Sequence, residues 1–237
     1  MVQAGCGSRS NHGQGDYDEK IKKAQRALEK DYQNSKTHTY LGILYEKKGL
    51  STQAEKHYRI ALDIDDQYLE AYVNLGNLYF SQKDYPGAIQ VFQKALPLNR
   101  KGDELFELLG NAYKGSGQFN EALEHYQSAC KINPQNVKAL NSMGMIYYEI
   151  QDFDKALSAF NSVIDKDPNY GDAYGNLGIL YDFNLHQKEL AIQSYQKYLE
   201  LNKEGENVSL IQDLLQKAKA SVEKKVDPIP TVIEPMH

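Results

Sequence analysis

A chain of 237 residues, 41% hydrophobic and 25% charged, has an ordinary globular composition and enough apolar material for one or two cores. With 32 acidic against 27 basic residues its net charge is −5, and no lysine or arginine stripe runs along it, which argues against nucleic acid as a ligand. No apolar run approaches the roughly 20 residues of a membrane-spanning helix. The two cysteines, Cys6 in a loose segment and Cys130 in an apolar helical slot, do not make a disulfide framework.

Residues 1–16 are rich in Gly, Ser and Asn and read as a flexible N-terminal tether. Tyr17, Ile21, Ala24, Ala27 and Leu28 then recur at helical spacing, predicting a helix to about Asp31. Next comes a repeat. The stretch Ala71–Tyr79, AYVNLGNLY, returns as AYGNLGILY at Ala173–Tyr181, and weaker copies end at Tyr45, Tyr113 and Tyr147. Its glycine falls at 42, 76, 110, 144 and 178, a step of 34 residues, and a period of that length means stacked structural units.

Each unit reads as two helices joined by a short turn. The second helix carries a small residue (Ala54, Ala88, Ala122, Ala156, Ala191) and then an aromatic (Tyr58, Phe92, Tyr126, Phe160, Tyr195). A further slot holds Ala61, Ala95, Ala129, Val163 and Tyr198; the last unit is displaced by one residue because DFNLHQKEL carries an insertion. Small residues allow close helix contact, so Gly76 is expected opposite Ala88, with the aromatics filling the space between hairpins. Pro86 suits the first turn of its helix, and Pro134 and Pro168 stop the helices before them.

This reading divides the chain into a tether (1–16), the second helix of a partial first repeat (17–34), five full repeats (35–204), a C-terminal capping helix (205–224) and a Pro-containing flexible tail (225–237). The cap would turn Val208, Ile211, Leu214, Leu215, Ala218 and Val222 toward the stack.

A 34-residue helix–turn–helix with Leu-Gly, Tyr, Ala, an aromatic, Ala and Pro at fixed places resembles the tetratricopeptide repeat. The resemblance implies an all-α, right-handed superhelical solenoid whose first helices line a concave groove for peptides or protein segments. Opposite the packing face, at helical steps, stand Glu70, Val73, Asn77 and Phe80; Glu104, Glu107, Asn111 and Lys114; Lys138, Asn141, Met145 and Tyr148; and Asp172, Gly175, Ile179 and Asp182. Asn74 and Asn176 precede Leu-Gly at the groove edge. An amide both donates and accepts, so these residues can pair a peptide backbone. The NLG pattern looks like the asparagine ladder of O-linked N-acetylglucosamine transferases, although Tyr40, Leu108 and Ser142 interrupt it. The alternative role for these asparagines is to cap or solvate the stack. The two-carboxylate clamp of chaperone-binding arrays is absent: Asn77 and Lys138 fit, but Val73, Leu108 and Ser142 stand where Lys, Asn and Arg are wanted. Acids outnumber bases on this face, so a neutral or basic segment is the expected partner.

Catalysis finds no support. The six histidines show no metal-ligand spacing, with His38, His57 and His125 in surface or packing slots, and no nucleophile elbow or phosphate loop occurs. No cofactor or metal is expected. Ala4-Gly5-Cys6 resembles the end of a bacterial lipoprotein signal, and Gly7 and Ser8 resemble the tether that follows it; Gln3 stands where Leu is wanted and no hydrophobic region precedes it. A lipid-anchored envelope protein and a cytoplasmic one with an ordinary loose tail both fit. The function expected is a non-enzymatic scaffold for protein partners, with a place in envelope or pilus assembly. The alternatives are a regulatory or targeting subunit of a separate enzyme and a self-assembling array.

Overall fold

Positive φ angles at Gly49 (73°), Lys83 (62°), Gly117 (78°), Gln151 (62°) and His186 (54°) mark five equivalent turns along the chain. In the first four, the residue after the left-handed position donates its N–H to the carbonyl five residues back, as Leu50 does to Tyr45 and Asp84 to Tyr79. Each closes the C-terminus of one helix and aims the chain into the next.

The computed structural model describes residues 11–99, 101–205 and 207–223, all helix, turn and loop without a strand. The elements are α1 (Asn11–Lys30), α2 (Ser35–Lys47), α3 (Ser51–Ile64), α4 (Leu69–Ser81), α5 (Tyr85–Ala95), α6 (Asp103–Gly115), α7 (Phe119–Ile132), α8 (Val137–Glu149), α9 (Phe153–Lys166), α10 (Gly171–Ile179), α11 (Lys188–Leu201) and α12 (Val208–Glu223). Local chemistry starts several of them. Asn34, Asp84, Asn136 and Asp152 each accept a hydrogen bond from the backbone N–H three residues on, with Pro86 in the first turn of α5. Helix α1 begins at Asn11, so residues 11–16, expected in the loose tether, are helical; Asp16 meets Lys20 one turn on at 2.6 Å, which favours that turn. Cys6 and the tail from Val226 lie outside the described residues.

The chain forms two compact units, meeting within α7 between His125 and Tyr126. In the first, each helix packs on its neighbour in sequence from α1 to α6, and α2 also touches α4. Its core joins Ala54 and Tyr58 of α3 to Leu75 and Leu78 of α4, Phe92 of α5 and Leu105 and Leu109 of α6. A smaller cluster sets Ile21, Ala24 and Leu28 of α1 against Leu41 and Leu44 of α2. In the second unit, α8 to α11 repeat this arrangement, and α12 buries Ile211 and Leu215 beside Tyr195 and Tyr198 of α11.

Glycine plays a different part from the one expected. A Cβ added at Gly42, Gly76, Gly144 or Gly178 would fall less than 3.0 Å from the ring of Tyr58, Phe92, Phe160 or Tyr195. Gly76 therefore faces Phe92, one helical turn beyond Ala88. Each ring lies against the glycine of its own hairpin and also packs on the following helix, as Tyr58 does in the cluster with Leu75 and Leu78.

The insertion in the last repeat is absorbed by a π-helical turn, Leu180–Asn184, that prolongs α10. Leu185 N–H bonds the Leu180 carbonyl, and Gln187 N–H reaches six residues back to Tyr181 where the other turns span five. The left-handed residue accordingly follows its predecessor by 35 positions rather than 34, and the hairpin is otherwise the same. The Asn184 Oδ1 atom is buried there without a hydrogen-bond partner among the described residues.

Candidate functional site

Helices pack through one stripe and leave another to solvent. On α4 the core takes Ala71, Leu75 and Leu78. Asn74 and Asn77 are half-buried beside them, while Glu70 and Phe80 are exposed. The Tyr68 hydroxyl donates to Glu70 at 2.6 Å, and Phe80 leans edge-on against Tyr85 with ring centroids 5.5 Å apart. On α6, Glu104 is exposed, and Glu107, Asn111 and Lys114 are half-buried. Burial pushes the Lys114 ammonium below the ordinary lysine pKa.

In the second unit the equivalent stripe is drawn together. Lys138 is exposed on the first turn of α8, but Asn141 is only 6% exposed. Asn176 of α10 donates its side-chain amide to Asn141 Oδ1 at 3.0 Å, and the Asn141 amide lies 3.8 Å from the Met145 sulfur. Tyr148 tilts against Phe153 with centroids 5.9 Å apart. Two adjoining cavities, of about 250 and 220 Å³, share Met145, Asn176 and Ile179; the first reaches Tyr148 and Glu149, the second Asp172 and Leu210. Met145 is 43% and Leu210 52% exposed.

One residue expected on this face does not belong to it. Asp182 is 3% exposed, forms an ion pair with Lys188 and accepts a hydrogen bond from the Tyr195 hydroxyl at 3.3 Å. Asp182 stands within the π-helical turn, and burial, then the nearby carboxylate, pushes the Tyr195 phenol above its ordinary pKa. Glu46 does the same for Tyr58, accepting from its hydroxyl at 2.9 Å. In four of the five repeats the sequence pairs the two slots, and Tyr126 with Lys114 breaks the pattern in the third. Where the aromatic is Tyr58 or Tyr195 the first helix supplies an acid, Glu46 or Asp182; where it is Phe92 or Phe160 the first helix supplies an aromatic, Phe80 or Tyr148.

A second network lies between successive second helices. Tyr45, Tyr79 and Tyr113 each reach the residue 20 positions earlier, Gln25, Arg59 and Gln93, through their hydroxyls. In the first of these places His57 stacks on Tyr45, and its Nδ1 lies 3.0 Å from Nδ1 of buried His38, whose Nε2 faces the Tyr32 carbonyl at 3.1 Å. With Nε2–H donating to that carbonyl, His38 Nδ1 accepts from His57. His125 stacks likewise on Tyr113. His38, His57 and His125 thus serve packing, and no cluster of three or more metal-ligating side chains occurs among the described residues.

Tandem helical hairpins with a repeated glycine–aromatic contact, a stripe of amides beside the packing face and a capping helix define a class of α-helical interaction scaffolds. Family profiles described as "TPR repeat" and "Tetratricopeptide repeat" match residues 33–101, 110–151, 137–170 and 171–204. The chain belongs to the tetratricopeptide repeat family. A comparison with curated protein sequences finds no match. Among solved structures, YrrB, described as a TPR protein with an unusual peptide-binding site, is 26% identical with a TM-score of 0.61, over 83% of this chain and 97% of its own. MamA is 26% identical at a TM-score of 0.62, over 72% and 99%. PilF of Pseudomonas aeruginosa, 18% identical with a TM-score of 0.68 over 88% and 91%, shares the fold.

Proposed function

We propose that this protein is a non-enzymatic scaffold that holds an extended segment of a partner protein against the amide-bearing face of its first helices. The observation that carries the reading is the Asn141–Asn176 contact beside exposed Met145 and two adjoining cavities. Amides held on rigid helices meet a peptide backbone, and apolar surface beside them takes its side chains. Asn74, Asn77, Phe80 and Asn111 extend the same chemistry along the first unit. The description of YrrB as a peptide-binding repeat protein supports this use of the fold.

Replacing Asn77, Asn111 and Tyr148 together by Ala tests the reading in a pull-down from source lysate with quantitative mass spectrometry. Helix content should hold, because Ala favours helix, while partner capture weakens by on the order of 1 kcal/mol for each side chain that touches the partner. Capture at parental affinity would place the partner elsewhere.

We further propose that the scaffold works at a bacterial envelope, tethered through an acylated Cys6 and engaged in envelope or pilus assembly. The small pair Ala4-Gly5 before the cysteine supports the tether. The product of the authentic gene should partition with membranes and be released by Cys6→Ala; a product soluble from the outset would remove the tether.

A further inference from the structure

The two cavities of the second unit run into each other through Met145, Asn176 and Ile179, with Leu210 of α12 exposed at the far side. Such a stretch of uncovered apolar surface favours an aliphatic or aromatic side chain that removes it from water. Asn176 is held by its bond to Asn141, so its carbonyl oxygen and second N–H remain for a peptide backbone running past. The rim is acidic. Glu149, at the end of α8, borders the first cavity and Asp172, in the first turn of α10, borders the second. Both are exposed, and neither is paired with a basic side chain among the described residues. Lys138, the basic residue of the same stripe, borders neither cavity.

We infer that this face takes a partner segment presenting one large apolar side chain flanked on both sides by lysine or arginine. The apolar side chain seats against Met145 and Ile179, the backbone pairs with Asn176, and the flanking charges meet Glu149 and Asp172. This rests on the groove reading above and adds the chemistry of the occupant. Charges at the rim act mainly on selectivity and on the rate of encounter, and their effect weakens with added salt.

The test is fluorescence anisotropy of the full chain with labelled Gly/Ser-based peptides. One carries a Leu with Lys on both sides, one replaces the Leu by Ser, and one replaces the Lys residues by Glu. The Leu/Lys peptide should bind about tenfold or more tighter than either of the others, a ratio equivalent to roughly 1.4 kcal/mol. In Glu149→Gln/Asp172→Asn, which alters exposed side chains only, the advantage of Lys over Glu should vanish while that of Leu over Ser persists. Equal binding of the Lys and Glu peptides, or no binding of any, overturns the inference. A mass that grows with concentration in light scattering and is restored to monomer by Met145→Asp would make a second copy the occupant and also overturn it. The groove reading itself stands or falls separately, on partner capture by the Asn77/Asn111/Tyr148 variant.

Discussion

Replacing Gly76 by alanine puts a methyl group where the Phe92 ring already lies, less than 3.0 Å from three of its carbons. The ring has nowhere to go, since Phe92 is 0% exposed and enclosed by the same cluster as Leu75, Leu78 and Leu105. In an exposed helix the substitution would gain about 1 kcal/mol, because alanine is the better helix former. Overpacking a well-filled core typically costs about 1–3 kcal/mol, and a clash with a fully enclosed ring belongs at the upper end. The net expectation is a destabilisation of about 1–2 kcal/mol. For a chain of this size that is a fall of roughly 2–8 °C in melting temperature by circular dichroism or calorimetry. Gly15 is the internal control: it sits in α1 with nothing within 4 Å of its added Cβ, so Gly15→Ala should leave the melting temperature unchanged or raise it. Trimming the ring in Gly76→Ala/Phe92→Leu should recover part of the stability. A Gly76→Ala protein that melts at or above the parent would refute the glycine–ring contact as the element that sets hairpin spacing.

Lys188→Ala should destabilise by about 3 kcal/mol or more, because it leaves the Asp182 carboxylate buried without its cation. Tyr195→Phe, which removes one hydrogen bond to the same carboxylate but leaves its cation in place, should cost less, about 1.5–2 kcal/mol; denaturant titration should rank the two in that order. Stability should fall on mild acidification. Burial, then the neighbouring His38 and Lys56, lower the His57 pKa to about 4, and burial also lowers His38 and His125. Between an unfolded pKa near 6.5 and these lowered values the unfolded chain binds more protons, so stability is full above that window and declines as the pH falls through it. The slope approaches about 1.4 kcal/mol per pH unit for each histidine. His57→Gln should flatten the dependence in denaturant melts taken from neutral pH to about pH 4; an unchanged slope would mean that His57 does not titrate with folding.

The legible parts of this protein are those that repeat. Gly42, Gly76, Gly144 and Gly178 fall on a 34-residue period because each of these hairpins makes the same ring contact, and the period could be read without knowing what the glycine touches. The helix starts at Asn34, Asp84, Asn136 and Asp152 were open to reading for the same reason: a cap is satisfied within three residues of itself. The candidate face was legible only as a stripe. Helical spacing names the residues of that stripe, Asn77 and Asn141 among them, and the Leu-Gly pattern adds Asn176 at its edge, but spacing within one helix is silent on what the next helix brings near.

Asp182 shows the difference. By position it belongs with Phe80, Lys114 and Tyr148, facing outward. Like Glu46 in the same slot of the first full repeat, it instead meets the tyrosine hydroxyl of its own hairpin, and it pairs with Lys188 as well. Asn141 and Asn176, 35 positions apart, become one hydrogen-bonded unit on the same principle. From the sequence alone came the period, the helical hairpins and the slots that must be small or aromatic, because these follow from local rules applied again and again. Only the tertiary structure decided which polar side chains are consumed inside the fold and which remain to meet a partner. That outcome depends on distances between helices, and a side chain a few ångströms from a buried hydroxyl or amide bonds to it and is no longer available to anything else.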